Sequence, residues 1–299
     1  MTEPNPVTLR ALIGDYPVTA ALKSGAVRSP RVRLELADVK PVSAAFKRTV
    51  RDLEFDASEL AIVTYLIAKA HGKPLTLLPA VLVGRFQHPL IVYNAERGPL
   101  APGDLAGKQV GVRSYSVTTG AWIRGILADE YGIRPEQINW VTFEEAHVAE
   151  FRDPPNVARA PAGAKLVDLL LAGEIDAAIV GDGPPSDPRI KTLLPDPAAA
   201  ARAWHAKHGA IQVNHLVVVK GSLSRSDPEA VREVYRLLLE SKRAAGLPKA
   251  GELDLNPFGV ERNRRNLEVA IDCCHRQGLI PRRYAVDELF DDTTRALEN

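Results

Sequence analysis

Residues 104–133 read DLAGKQVGVRSYSVTTGAWIRGILADEYGI, and one unit of the fold follows from them. The start, GDLAGK from Gly103, is turn-rich. Residues 109–112 (QVGV) suit a short strand. Residues 114–119 (SYSVTT) are polar. Residues 120–131 carry a helical pattern stopped by Gly132. A strand that runs through a hydroxyl-rich loop into a helix is the repeating piece of a parallel α/β sheet. The loop also sets hydroxyls and unpaired N–H groups at a helix N-terminus, where an anion is favoured.

The same grammar continues on both sides. Upstream, strands are expected at 7–13, 31–36, 75–81 and 90–93, and helices at 19–24, 42–52 and 59–70. Downstream, strands are expected at 138–141, 175–180 and 216–219. Helices are expected at 165–172, 198–203, 227–244 and 261–277, with Asp227-Pro228 as cap and first helical residue. Alternating strands and helices predict an α/β protein with mostly parallel sheets and helices on both faces. Residues from about 100 to 215 hold a complete β–α–β set between two half-complete blocks. The expected organisation is a discontinuous lobe one, 1–100 plus 216–299, with lobe two, 101–215, inserted.

A chain of 299 residues is long enough for two such domains. Its formal net charge of +1 gives no electrostatic footprint for nucleic acid. Arg262, Arg264 and Arg265 read as a solvated helix face. The two cysteines, Cys273 and Cys274, are adjacent and offer neither a disulfide framework nor a metal pattern. The N-terminus, MTEPNPVTLRALIGDYPV, lacks the basic and apolar regions of a signal peptide. No apolar run approaches the ~20 residues of a membrane span. A cytoplasmic protein without membrane or nucleic-acid partners is expected, and a homo-oligomer stays open.

Seven stretches carry a family resemblance: FDASELAIVTYL (55–66), GRFQHPLIVY (84–93), the 104–133 segment, LLAGEIDAAI (170–179), NHLVVVK (214–220), NPFGVERNRRNLE (256–268) and QGLIPRRYAVDELF (277–290). Together they resemble the 4,5-dihydroxyphthalate decarboxylase family over nearly the whole chain, most specifically in TTGAWIRGILADEYGI. The resemblance implies the two-lobed type II periplasmic-binding-protein fold with an interlobe cleft. It also implies a cytoplasmic carboxy-lyase that acts on a small aromatic carboxylate, a hydroxylated di-acid. Two rival readings share the fold: a non-catalytic solute-binding protein for a small organic anion, and an enzyme of the menaquinone route from chorismate. Two segments depart from the family pattern. Gly181-Asp182-Gly183-Pro184-Pro185 stands where an arginine commonly precedes a proline. Ile211-Gln212-Val213-Asn214-His215 replaces an apolar-proline run. Both fall where the ligand is expected, which leaves the exact substrate open.

Strand-end loops supply the candidate residues, since open α/β sheets bind ligands at the carboxyl ends of their strands. Asp15 reads either as a base or hydroxyl holder, or as a turn aspartate bonding its own backbone. Ser58 reads as the cap of the helix after it, with an anion at that helix end as the functional version. Glu59 reads as a first-turn carboxylate or as an acid–base group. Arg85 offers a carboxylate-matched fork, and His88 titrates near neutrality. Ser114, Tyr115, Thr118 and Thr119 form the anion loop, with Thr118 or Thr119 as its cap. Trp122 reads as a stacking platform or a core residue, and Arg124 as an ion-pair residue. Asp182 stands in the divergent loop. His215 is a core histidine by bare sequence; the resemblance makes it functional. His88 or His215 is the expected proton donor. No P-loop, GxGxxG, GxSxG or HExxH occurs. No organic cofactor is expected, while a divalent metal at His88, His215 and Glu59 stays open.

Overall fold

The computed structural model describes residues 5–298. The first four residues, which begin the stretch read for a leader and the 1–100 segment, lie outside the described residues. So does residue 299, the end of the 216–299 segment.

Eleven strands form among the described residues: β1 (Val7–Leu12), β2 (Val32–Leu36), β3 (Ala57–Ala61), β4 (Leu75–Gly84), β5 (Ile91–Asn94), β6 (Gln109–Val112), β7 (Asn139–Thr142), β8 (Val157–Arg159), β9 (Ala177–Ile179), β10 (Ile190–Thr192) and β11 (Val213–Lys220). The α-helices are α1 (Ala20–Lys23), α2 (Phe46–Arg51), α3 (Ile62–Ala70), α4 (Thr118–Tyr131), α5 (Leu166–Ala172), α6 (Pro197–His208), α7 (Gly221–Ser226), α8 (Pro228–Ala244), α9 (Val260–Arg276) and α10 (Asp292–Arg295). None of these helices is long and apolar enough to cross a membrane.

Two sheets form, ordered β2-β1-β3-β11-β4 and β10-β5-β9-β6-β7-β8. Both are mixed. β2, β1 and β3 run parallel, while β11 runs antiparallel to β3 and β4. In the second sheet β9, β6, β7 and β8 run parallel, and β5 is antiparallel to β9 and β10. The parallel character read from the sequence holds within each βαβ block and breaks where β11 and β5 join their sheets.

The chain forms two compact units. The first holds the chain through Arg85, Val213–Asp272 and the chain from Pro281 onward; the second holds Phe86–Gln212 and Cys273–Ile280. The boundaries differ from those read at 100 and 216 for a hydrogen-bonding reason. β5, assigned by sequence to lobe one, pairs with β9 and β10 in the second sheet. β11 pairs with β3 and β4 from Val213 onward. The last turn of α9 joins the second unit because Cys273 and Gln277 both bond the carbonyl of Ala121 in α4.

Each unit has its own core. In the first, Leu9, Ala11, Leu78, Val217 and Val219 of the sheet pack with Val231, Val234, Tyr235 and Leu238 of α8. That helix presents apolar residues at i, i+3, i+4 and i+7, so one stripe faces the sheet. Asp227 caps it as read, accepting from Ala230 N–H at 3.0 Å. In the second unit, Leu90, Val92, Val141, Leu170, Ile175 and Ala178 form the core.

One element read from the sequence is corrected. Residues 59–70 do not form one helix: Ala57–Ala61 is a strand, and the helix starts at Ile62. All five residues of β3 are buried, so the strand shows no alternation of apolar and polar residues. A short run of that kind merges with the following apolar helix in a pattern reading. The correction moves Ser58 and Glu59 from a helix start into the middle of a sheet.

Candidate functional site

Glu59 lies in β3, between β1 and β11, with no exposure to solvent. A carboxylate in that position is costly unless donors surround it. Three do. Gly14 N–H donates to Oε2 at 2.8 Å, the Tyr16 hydroxyl donates to Oε1 at 2.7 Å, and His215 Nδ1 meets Oε1 at 2.6 Å. Opposite the ionised form of the carboxylate, which only accepts, the proton of the last bond sits on Nδ1. Nε2 is then left as the nitrogen that can exchange a proton. The His215 side chain keeps 16% of its surface exposed.

Strand geometry brings these groups together. His215 opposes Ala61 across the antiparallel β3–β11 ladder, and Val217 opposes Glu59. His215 and Val217 share a face of their strand, so His215 and Glu59 are diagonal neighbours on one side of the sheet. On the other side of β11, the pairing with β4 shifts register at Val213, His215, Leu216 and Val217. Such irregularities bend a strand and re-aim its side chains. Phe46, the first residue of α2, packs edge-on against the His215 ring with centroids 5.2 Å apart. Gly14 and Tyr16 follow β1 directly. Thr19 ties this loop: its hydroxyl donates to Gly14 O at 2.8 Å and accepts from Tyr16 N–H at 3.0 Å. Burial, and then the neighbouring Glu59 carboxylate, push the Tyr16 phenol well above its ordinary range, so it remains a donor.

Arg85 follows Gly84, the last residue of β4. Its charge is close enough to Tyr16 to favour the ionised phenol, an effect smaller than burial. Arg85, Tyr16, Glu59 and His215 therefore belong to one unit and one neighbourhood.

The other sequence candidates fall elsewhere or change role. Asp15 is half-exposed and pairs with Lys23 and, at 3.0 Å, with Lys40. Those lysines, Lys23 first, hold its carboxyl below the usual range, which suits an ion pair and not a base. Ser58 caps no helix. It is buried in β3, 2.9 Å from the Thr49 hydroxyl, and donates to the Glu59 carbonyl. The cap position of α3 is Ala61.

His88 is buried in the second unit with both ring nitrogens unpartnered. Its neighbours are the rings of Phe86, at 6.3 Å, and Trp204, at 6.4 Å. Burial pushes its pKa down to about 4, which favours the neutral ring at pH 7. Of the two candidate histidines, His215 is the one bonded to a carboxylate. Of the three residues read as an open metal set, Glu59 and His215 lie in the first unit and His88 in the second. Among the described residues no group of three or more His, Cys, Asp or Glu side chains is placed to hold a metal. Glu59 already has three donors.

Ser114, Tyr115, Thr118 and Thr119 are buried at the start of α4, as is Trp122. The cap is Val117, which has no side-chain oxygen; Thr118 and Thr119 are the first two helical residues. Trp122 stands edge-on to Trp204 at 5.9 Å, a core packing contact. Arg124 is not held by a carboxylate at close range. Its guanidinium lies 3.8 Å from the centre of the Tyr115 ring, and its Nε donates to Gln277 Oε1 at 2.7 Å. Asp182 is exposed in the loop after β9. Sequence reading passed over Gly14, Tyr16, Thr19 and Phe46; the only signal was that Gly14-Asp15-Tyr16 directly follows a strand.

No protein-family model matches the chain. The 4,5-dihydroxyphthalate decarboxylase of Comamonas testosteroni is 30% identical over 280 residues, covering 82% of this chain and 84% of that protein. The 4,5-dihydroxyphthalate decarboxylase of Pseudomonas putida is 29% identical over 216 residues, covering 67% and 82%. Among solved structures, the alkanesulfonate-binding protein SsuA from Xanthomonas axonopodis pv. citri, bound to MOPS, superposes with a TM-score of 0.59. It is 15% identical and covers 97% of this chain and 99% of its own, a likeness of fold. The fold is thus the two-lobed α/β fold of periplasmic-binding-protein-like proteins, and the chain belongs to the 4,5-dihydroxyphthalate decarboxylase family.

Proposed function

We propose that this protein is a carboxy-lyase for a hydroxylated aromatic acid, with His215 as the proton donor. The observation that carries the proposal is the buried Glu59 carboxylate bonded to His215 Nδ1 at 2.6 Å. The bond leaves Nε2 as the nitrogen free to pass a proton to a reacting atom. Decarboxylation needs such a proton. A conjugated ring hydroxyl pushes electron density onto the ring carbon that bears the carboxylate, so that carbon can take a proton from Nε2 of the imidazolium, and the reaction asks for no organic cofactor. The bond between ring and carboxylate then breaks, its electron pair restores the aromatic ring, carbon dioxide leaves, and Nε2 regains a proton from water. Glu59 stabilises the imidazolium and keeps Nδ1 protonated throughout. Arg85 is suited to grip a spectator carboxylate by its planar fork. In the second unit, the buried hydroxyls of residues 114–119 and the α4 N-terminus suit a carboxylate as well. A cytoplasmic location goes with this reading.

The test is incubation of the purified protein with a panel of aromatic di- and tricarboxylates, with and without ring hydroxyls, while released carbon dioxide is measured. Release from hydroxylated members supports the reading. Tight binding of these acids, detected by thermal shift, with no release from any of them would make the protein a binder.

A further inference from the structure

Glu59 has two oxygens, and they are treated differently. Oε2 takes one backbone N–H, from Gly14 at 2.8 Å; Oε1 takes two side-chain donors, Tyr16 at 2.7 Å and His215 at 2.6 Å. The backbone bond prevents the carboxylate from rotating. The phenol then fixes where on Oε1 the imidazole can dock.

We propose that Tyr16 is a positioning residue, which acts through Glu59 to fix the His215 ring, and that Gly14 is the residue that makes room for it. The catalytic consequence rests on the reading of His215 as proton donor; the positioning itself rests on the geometry alone.

The fit of Tyr16 over Gly14 supports the second half. A Cβ at position 14 would stand 2.6 Å from Cε2, Cζ and Oη of the Tyr16 ring. Any side chain there therefore displaces the phenol from Glu59. Thr19 closes the loop by bonding both residues, to Gly14 O at 2.8 Å and from Tyr16 N–H at 3.0 Å. Gly14, Tyr16 and Thr19 form one device, whose product is a carboxylate with fixed orientation. The phenol's resistance to ionisation keeps it a donor toward Glu59. An orienting partner matters because proton transfer demands that the donor nitrogen lie within hydrogen-bond reach of the reacting atom.

The test uses the full chain with 15N-labelled histidine. In the wild type without substrate, at a pH high enough to strip the Nε2 proton, the His215 ring should show a protonated Nδ1, a bare Nε2 and a strongly hydrogen-bonded Nδ1–H resonance. In Tyr16→Phe that resonance should shift, because Oε1 has lost its other donor. Turnover on the best substrate found should fall about tenfold in kcat, the loss of one hydrogen bond to a charged group, with KM changing much less. Gly14→Ala should reproduce both effects with the tyrosine still present, and it serves if Tyr16→Phe does not fold. An unchanged Nδ1–H resonance in whichever variant folds would overturn the positioning role. A shifted resonance together with full turnover in His215→Asn would leave the positioning intact and remove the donor reading instead.

Discussion

Glu59 and His215 are diagonal partners across the antiparallel β3–β11 pair, joined by a 2.6 Å bond from Nδ1 to Oε1 although His215 opposes Ala61 in register. The two residues are 156 positions apart in the chain. The sheet is what unites them, and a buried carboxylate beside an imidazole is the arrangement that gives one ring nitrogen a fixed proton and frees the other.

Glu59→Gln should damage both folding and turnover. The amide has one acceptor oxygen and one NH2 group, so either Gly14 N–H faces a donor, or Tyr16 and His215 must turn from donors into acceptors and Nδ1 loses its proton. A buried polar group left unsatisfied costs on the order of 1–3 kcal/mol. Urea unfolding should show a loss of that size, and turnover should drop with it. A variant with wild-type stability and rate would show that the carboxylate is dispensable.

Arg85→Ala should weaken the ligand without unfolding the protein. Arg85 lies just past β4 and close enough for its charge to reach Tyr16. Removing one partner of a desolvated ion pair costs on the order of 2–5 kcal/mol. Calorimetry with the tightest carboxylate should register that loss of affinity, while the circular dichroism melt stays near that of the wild type. Equal affinities would place the carboxylate grip elsewhere.

His88 should make the protein less stable in acid. Its folded pKa, about 4, is depressed by burial from an ordinary value of 6.5, and the nearby Glu130 only partly opposes this. Between those values the unfolded chain binds the proton and the folded one does not. Stability from this group is present above pH 6.5 and is lost as pH falls toward 4. His88→Leu should remove that loss, so its urea midpoint should fall less between pH 7.5 and 5 than that of the wild type. Parallel declines in the two proteins would mean that His88 does not carry the effect.

The fold was largely readable because the strands with flanking turns and the amphipathic helices each leave a local pattern. α4 and α8 were found within two residues of their ends. β3 was not, since five consecutive buried residues have no period of two. That one strand decided the site. With Ser58 and Glu59 placed on a helix, capping was the natural role for the serine and dipole compensation for the glutamate. On a strand, one is tied to Thr49 and the other to His215. His215 itself was picked out by the family resemblance. In the Gly14-Asp15-Tyr16 turn the charged residue drew the reading, yet Asp15 is occupied by two lysines. Tyr16, whose role depends on reaching a residue 43 positions away, carries no local sign of it.

The most direct test of the account is the single-turnover rate of carbon dioxide release by His215→Asn, compared with wild type on the same hydroxylated aromatic acid. Asparagine keeps some hydrogen bonding toward Glu59 but does not titrate near neutrality. The account predicts a rate lower by roughly 10²–10⁴, the size of a lost general acid, with ligand affinity changed far less. A variant that releases carbon dioxide at the wild-type rate would contradict it.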